Sequence, residues 1–190
     1  MTELMRRRRA LMGAGSSSPS PRLPAEYQEV AYIKCGYKGY NYVLTGVSIK
    51  DAYRVVIDGT VGSTTETLAS LVFYQSSNAR IGYFNNNSTQ AYSCDPVVAN
   101  SESPTGTFTF TRTGYSTETA PLYLFGGSTS SATRSRTLTM TSVSIYDSNN
   151  TLKFQGVPAY KKADTKIGLY DIVGQEFHQA GGTFTKGADV

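Results

Sequence analysis

Residues 136–154, "RTLTMTSVSIYDSNNTLKF", alternate apolar and polar side chains at period two, and the alternation slips once. Leu138 and Met140 share one parity, whereas Val143 and Ile145 take the other. A strand whose side chains alternate strictly cannot bury both pairs on one face unless it gains a residue. A β-bulge near Thr141–Ser142 restores the inward phase, so the stretch is expected to be one long bulged strand. The polar run that follows, Ser148–Asn150, is expected to turn the chain back into a second strand, "TLKF", as a hairpin.

The same style extends outward in both directions. "GTFTFTRTG" (106–114) alternates most clearly, with Phe108 and Phe110 inward and the threonines outward. "YRVVIDGTV" (53–61) sets Tyr53, Val55 and Ile57 on one face, and "EYQEVAYIKC" (26–35) alternates loosely. "LASLVFYQ" (68–75) is almost continuously apolar, as in a strand covered on both sides. The asparagines of "ARIGYFNNNS" (79–88) mark a turn, because asparagine tolerates left-handed backbone. Short strands at regular spacing, with no helical period in the body, predict an all-β antiparallel sandwich, and at this length a jelly roll. The 190 residues suffice for one such domain with a real core. Fourteen tyrosines, no tryptophan and only 17% charged residues agree with a β-rich chain.

The net charge of +4 is unevenly placed. Arg6, Arg7, Arg8 and Arg9 against Glu3 put +3 into residues 1–21, which leaves +1 for the other 169. A nearly neutral body lacks the broad basic face of a nucleic-acid binder, so any electrostatic partner belongs to the first segment. Residues 1–12 are read as a basic anchor peptide in which Leu4, Met5, Leu11 and Met12 flank the arginines. A helix over 2–12, capped by Thr2 and ended by Gly13, is too short to be stable alone and needs a partner surface. The competing reading is a frayed terminus with a solvated charge run. Arginines among leucines and methionines favour docking on protein over binding nucleic-acid phosphates. "GAGSSSPSPRLP" (13–24) is a flexible-to-extended linker, and the sandwich is expected over 25–190. No stretch is long or apolar enough to span a bilayer, so no membrane partner is expected.

Candidate chemistry is sparse. His178 is the single histidine and would be the sole imidazole of any triad. "IGLYDIVGQEFHQAGGTFTKG" (167–187) reads as strand, "GQ" turn, returning strand "EFHQ" and a last edge segment. With Phe177 inward, Glu176 and His178 face outward, as surface residues of a closing hairpin. No acidic residues form the E-x-D-x-x-E pattern of jelly-roll glycosidases, and no nucleophile elbow or phosphate-binding glycine loop is present, so no catalytic residues and no cofactor are expected. Cys35 and Cys94 have no metal-site spacing and are read as free thiols, with a disulfide between them geometrically open. Asn85, Asn86, Asn87 and Asp95 supply calcium-type oxygens but a single negative charge, which favours turn chemistry over a metal site. A glycan site is conceivable where Tyr83, Asn85, Asn87 and Tyr92 converge, aromatic faces beside amides.

Three stretches carry a family resemblance: "LPAEYQEVAYIKCGYKGYNYVLTGV" (23–47), "LYLFGG" (122–127) and "SVSIYDSNNTLKFQGVPAYKKADTKIGLYDIVGQEFHQAGGTFTKG" (142–187). Together they resemble a group of bacteriophage and prophage proteins of gut bacteria. These open with LP-x-x-Y-x-x-x-x-Y-I and close with G-L-Y-D and F-x-x-x-x-G-x-F patterns. The resemblance covers roughly residues 22–187. It implies a laminin-G or concanavalin-A-like jelly roll and a structural virion protein: a capsid decoration, head-fibre or tail-fibre subunit. Its location would be the virion, assembled in the bacterial host cytoplasm, with capsid, portal or tail proteins as partners of the N-terminal peptide. By analogy with fibres a homo-oligomer is expected. The alternative is a lectin-like adhesin binding host or mucosal glycans. The segment "CGYKGYNYVLTGV" (35–47) lacks the aspartate usual in the group, and with it any role that residue has there.

Overall fold

A computed structural model describes residues 23–36, 41–64, 70–73, 80–85, 90–126 and 136–190. Among them are fourteen strands and no helix. They are β1 (Tyr27–Glu29), β2 (Ile33–Cys35), β3 (Tyr42–Ser48), β4 (Arg54–Val61), β5 (Ser70–Phe73), β6 (Arg80–Tyr83) and β7 (Tyr92–Asp95). There follow β8 (Thr105–Arg112), β9 (Pro121–Leu124), β10 (Leu138–Tyr146), β11 (Leu152–Lys161), β12 (Ile167–Asp171), β13 (Glu176–Gly181) and β14 (Phe184–Lys186). The main path runs β5-β6-β7-β8-β4-β10-β11-β12-β13-β3-β9, and its two end strands come close to one another. The sheet therefore curls over itself, in a manner consistent with a β-sandwich. The expected helix over 2–12 falls outside the described residues.

β10 is the pivot. On one edge it pairs with β4 along its length, and the register slips between Met140 and Ser142, so that Met140 faces Gly59 and Ser142 faces Asp58. Thr141 is the extra, exposed residue, and Leu138, Met140, Val143 and Ile145 are all buried. This is the bulge that the parity argument requires. Its consequence shows on the other edge of β10, which pairs with short β2 at Thr139–Met140 and with β11 at Val143–Tyr146. Opposite the bulge the backbones approach closely: a Cβ on Gly59 would lie 2.0 Å from the Thr139 carbonyl oxygen, so only glycine fits there.

The hairpin between β10 and β11 is held by Asp147. Its Oδ1 accepts the amides of Asn149 and Thr151, each at 2.9 Å, and Lys153 Nζ lies 3.2 Å from Oδ2. Asn150 takes a left-handed conformation (φ 62°), which asparagine adopts at little cost.

One interior cluster draws Val43, Ile57, Phe108, Phe110, Leu122, Leu124, Ile145 and Phe154 from both limbs of the curled sheet. Phe84 meets Phe108 and Phe110 edge-on, at centroid distances of 5.5 and 5.1 Å. Inward Val55, Ile57, Phe108 and Phe110 follow the sequence pattern, whereas Tyr53 lies before β4 and stays 36% exposed. Cys35 and Cys94 are both buried, and no disulfide joins them. Burial pushes the Cys35 thiol up to about 11 and the Cys94 thiol to about 12.

Three features depart from the sequence reading. First, the sheet is not wholly antiparallel: β6 and β7 are parallel through the single pair Gly82 and Tyr92. The chain between them re-enters in the same direction instead of closing a hairpin. Second, the turn after β12 spans residues 172–175, because Asp171 organises it, and is longer than "GQ". Asp171 is buried, with Oδ1 accepting the amides of Gln155 and Val173 and Oδ2 that of Gly174. Third, the sheet of β11, β12 and β13 is covered on both faces. A second apolar cluster of Leu23, Val157, Ala159 and Tyr170, joined by Tyr27 and Phe177, lies opposite the main interior.

Candidate functional site

Of the four residues read as a glycan site, Tyr83 and Tyr92 do not reach the surface. Tyr83 is 4% exposed and Tyr92 0%, so both rings belong to the interior and offer no face to a sugar. The Tyr92 hydroxyl donates to the Ala52 carbonyl at 2.9 Å, and burial raises its pKa to about 12 against the opposing pull of Arg112. That internal bond supplies the polar partner a tyrosine needs when buried. Asn85 is half-buried and donates through Nδ2 to Asn100 Oδ1 at 3.3 Å. Asn86 and Asn87 lie outside the described residues, as do Leu4, Met5, Arg6, Arg7, Arg8, Arg9, Leu11 and Met12 of the anchor peptide. Asp95 ends β7, exposed.

His178 and Phe177 take the reverse of their expected sides. His178 pairs with Leu169 of the main interior and meets the ring of Phe154 edge-on at 5.3 Å. Its Nδ1 is 2.8 Å from the Leu44 carbonyl; a carbonyl only accepts, so Nδ1 carries the proton and donates. The imidazole thus ties β13 to β3, a structural role. Phe177 turns to the opposite face, stacked on Tyr27 at 5.1 Å and 25°. Glu176 is exposed and lines a cleft together with Tyr27 and Phe177.

That second face carries the larger surface features. Tyr27 sits between Phe177 and Tyr170, both at 5.1 Å, and two clefts open beside it. One, of 330 Å³, is lined by Lys161, Asp164, Lys166, Gln175, Glu176 and Gln179 as well as Tyr27 and Phe177. The other, of 380 Å³, lies among Leu23, Pro24, Ala25, Gln28, Glu29, Lys162 and Val190. Aromatic rings flanked by amides and charged hydrogen-bonding groups suit a polar ring ligand.

The same edge gathers the two ends of the folded body. Val30 bridges Asp189, the Val190 amide donates to the Glu29 carbonyl at 3.1 Å, and Gln28 Nε2 donates to the Val190 carbonyl at 3.1 Å. Asp189 is held further by Lys186 (2.7 Å) and the Tyr160 hydroxyl (3.1 Å).

Two buried arginines escaped the sequence reading. Arg112 is 6% and Arg136 2% exposed. Arg136 donates to the carbonyls of Val98 (3.4 Å) and Ala99, pinning that loop, and its Nε has no partner among the described residues. The signal was parity: Arg112 shares the face of Phe108 and Phe110, and Arg136 that of Leu138 and Met140. An arginine in phase with inward residues is the exception to ask about.

Among the described residues no group of three or more His, Cys, Asp or Glu side chains converges as a metal site, and no helix is long and apolar enough to cross a membrane. Comparison with protein-family models, with curated proteins and with solved structures finds no match for the chain.

Proposed function

We propose that the chain is a display module of a bacteriophage virion: a capsid-decoration, head-fibre or tail-fibre subunit with a concanavalin-A-like jelly roll. Residues 1–12 dock on a capsid, portal or tail protein, residues 13–24 tether, and the β-domain projects. The observation that carries the reading is mechanical. Leu23 seats in the second apolar cluster, and residues 28–31 are bonded to residues 188–190 along one edge. A tether entering at Leu23 pulls on a point braced by paired backbone, while the far side of the body stays free for display. The charge division agrees, with +3 of the net +4 in residues 1–21. Deletion of residues 2–12 tests it. The truncated chain should fold yet fall at least about tenfold in purified particles, measured by quantitative mass spectrometry. Full incorporation would contradict the reading.

A second reading, a lectin-like adhesin, is favoured by the clefts beside Tyr27 and Phe177. Bacterial and mucin glycans arrayed against the full chain test it. Binding that is lost in Tyr27→Ala but not in a remote surface variant supports it, and silence across the array contradicts it.

A further inference from the structure

We infer that Arg112 forms the floor of an anion pocket that takes the carboxylate of an acidic sugar, of the hexuronate type. The inference goes beyond the display role, does not depend on it, and concerns a place remote in sequence from the Tyr27 clefts.

Charge balance is the first argument. The guanidinium of Arg112 is almost wholly removed from water, yet among the described residues every partner it has is neutral. Nε donates to the Gly114 carbonyl at 3.2 Å, Nη1 to that of Ile49 and Nη2, at 3.5 Å, to that of Lys50; the Tyr92 hydroxyl lies beside it. Among the described residues no carboxylate forms an ion pair with it. A buried cation costs several kcal/mol of lost hydration unless a counter-charge meets it. Carbonyl dipoles orient this one and leave its net charge unmatched.

Space and access are the second. A cavity of 120 Å³ opens over Arg112, lined also by Ile49, Ala91, Thr113, Tyr115 and Ser116. At about 30 Å³ per water it holds roughly four waters, enough for a carboxylate and the ring carbon that bears it. Arg136, the other buried arginine, is instead spent on loop carbonyls.

The rim supplies the ligand class. Tyr115 is 88% exposed, more than any other aromatic side chain described, and stands beside the opening. An aromatic face held in water next to a buried cation suits a pyranose ring stacked on the phenol with its acid group pointing inward. The Ser116 hydroxyl accepts the Glu118 amide at 3.2 Å and keeps its own proton for a ring oxygen. The Thr113 hydroxyl, which donates to the Ala91 carbonyl at 3.0 Å, is left to accept from a sugar hydroxyl.

Amide NMR of the full ¹⁵N-labelled chain at constant ionic strength tests this, with D-glucuronate, D-glucose, acetate and phosphate as probes. Glucuronate should give saturable shifts confined to residues 49–52, 91–92 and 112–116, and glucose none. Tyr115→Ala, at an exposed position, should weaken glucuronate by about fivefold and leave acetate unchanged. Arg112→Gln should abolish the shifts; if that variant does not fold, Tyr115→Ala and Ser116→Ala decide. Absence of saturation with glucuronate, or equal response to glucose, overturns the proposal. Phosphate binding as tightly as glucuronate also overturns it, leaving a general oxyanion pocket. Shifts at Tyr27 and Phe177 alone would remove this site and leave the lectin reading standing.

Discussion

Asp58 receives hydroxyls from two neighbouring strands: Thr107 on β8 at 2.5 Å and Ser142 on β10 at 2.6 Å, while its carbonyl accepts Thr141 at 3.1 Å. These bonds lock the bulge in place from the outer surface. Hydrogen bonds to a charged acceptor are worth more than neutral ones, but this carboxylate is half-exposed and water replaces part of what is lost. Asp58→Ala should therefore cost about 1–2 kcal/mol and lower the melting temperature by roughly 2–8 °C for a domain of this size. A thermal melt followed by circular dichroism checks it, and an unchanged midpoint would deny Asp58 that role. Single residues were also where sequence was least legible. Tyr83 and Tyr92 look like ligand-facing aromatics because a tyrosine tip is polar, and only the Ala52 carbonyl, forty residues away, reveals that the Tyr92 tip is satisfied inside. Phe177 and His178 sit opposite to their expected sides because period two says that neighbours oppose, not which face is interior. Where both faces are covered, that choice depends on a distant segment, here Leu23 and Tyr27.

At the scale of elements the legible part was larger. The phase slip in β10 is a local property of its own side chains, so the bulge could be placed to within a residue. What β10 pairs with on each side of the bulge is a long-range matter and left no trace in the stretch itself. The β10–β11 hairpin was legible from its turn residues, and its chemistry makes it sensitive to acid. The backbone amide of Thr151, with help from Lys153 and Asn149, holds Asp147 below its usual carboxylate range. A depressed folded-state pKa means stability that is present above the ordinary carboxylate pKa and lost as pH falls through the depressed value. Asp147→Asn should then lower the melting temperature near pH 7, and much less at an acid pH below the depressed value, where the wild-type carboxyl is itself protonated. An equal gap at both pH values would show that the charge contributes nothing.

Across the whole molecule, the all-β class and the inward faces of β4, β8 and β10 were legible, because burial imposes period two on any strand with one wet side. The parallel contact of β6 and β7 and the second apolar cluster were not, since each arises from how distant segments meet. The second cluster matters most for function: it receives the chain at Leu23 and fixes the edge on which a tether would act. On the proposed reading, a nearly neutral β-body braced at one edge projects from a basic apolar peptide and a Ser/Pro-rich linker. Single-particle cryo-EM of virions made by a genome that carries this chain addresses that claim most directly. The account predicts β-domain density standing off the particle surface, joined to it by residues 1–12 seated in a groove of a shell, portal or tail protein. Particles without the chain, or a domain seated directly on the particle with residues 1–12 making no contact, would contradict it.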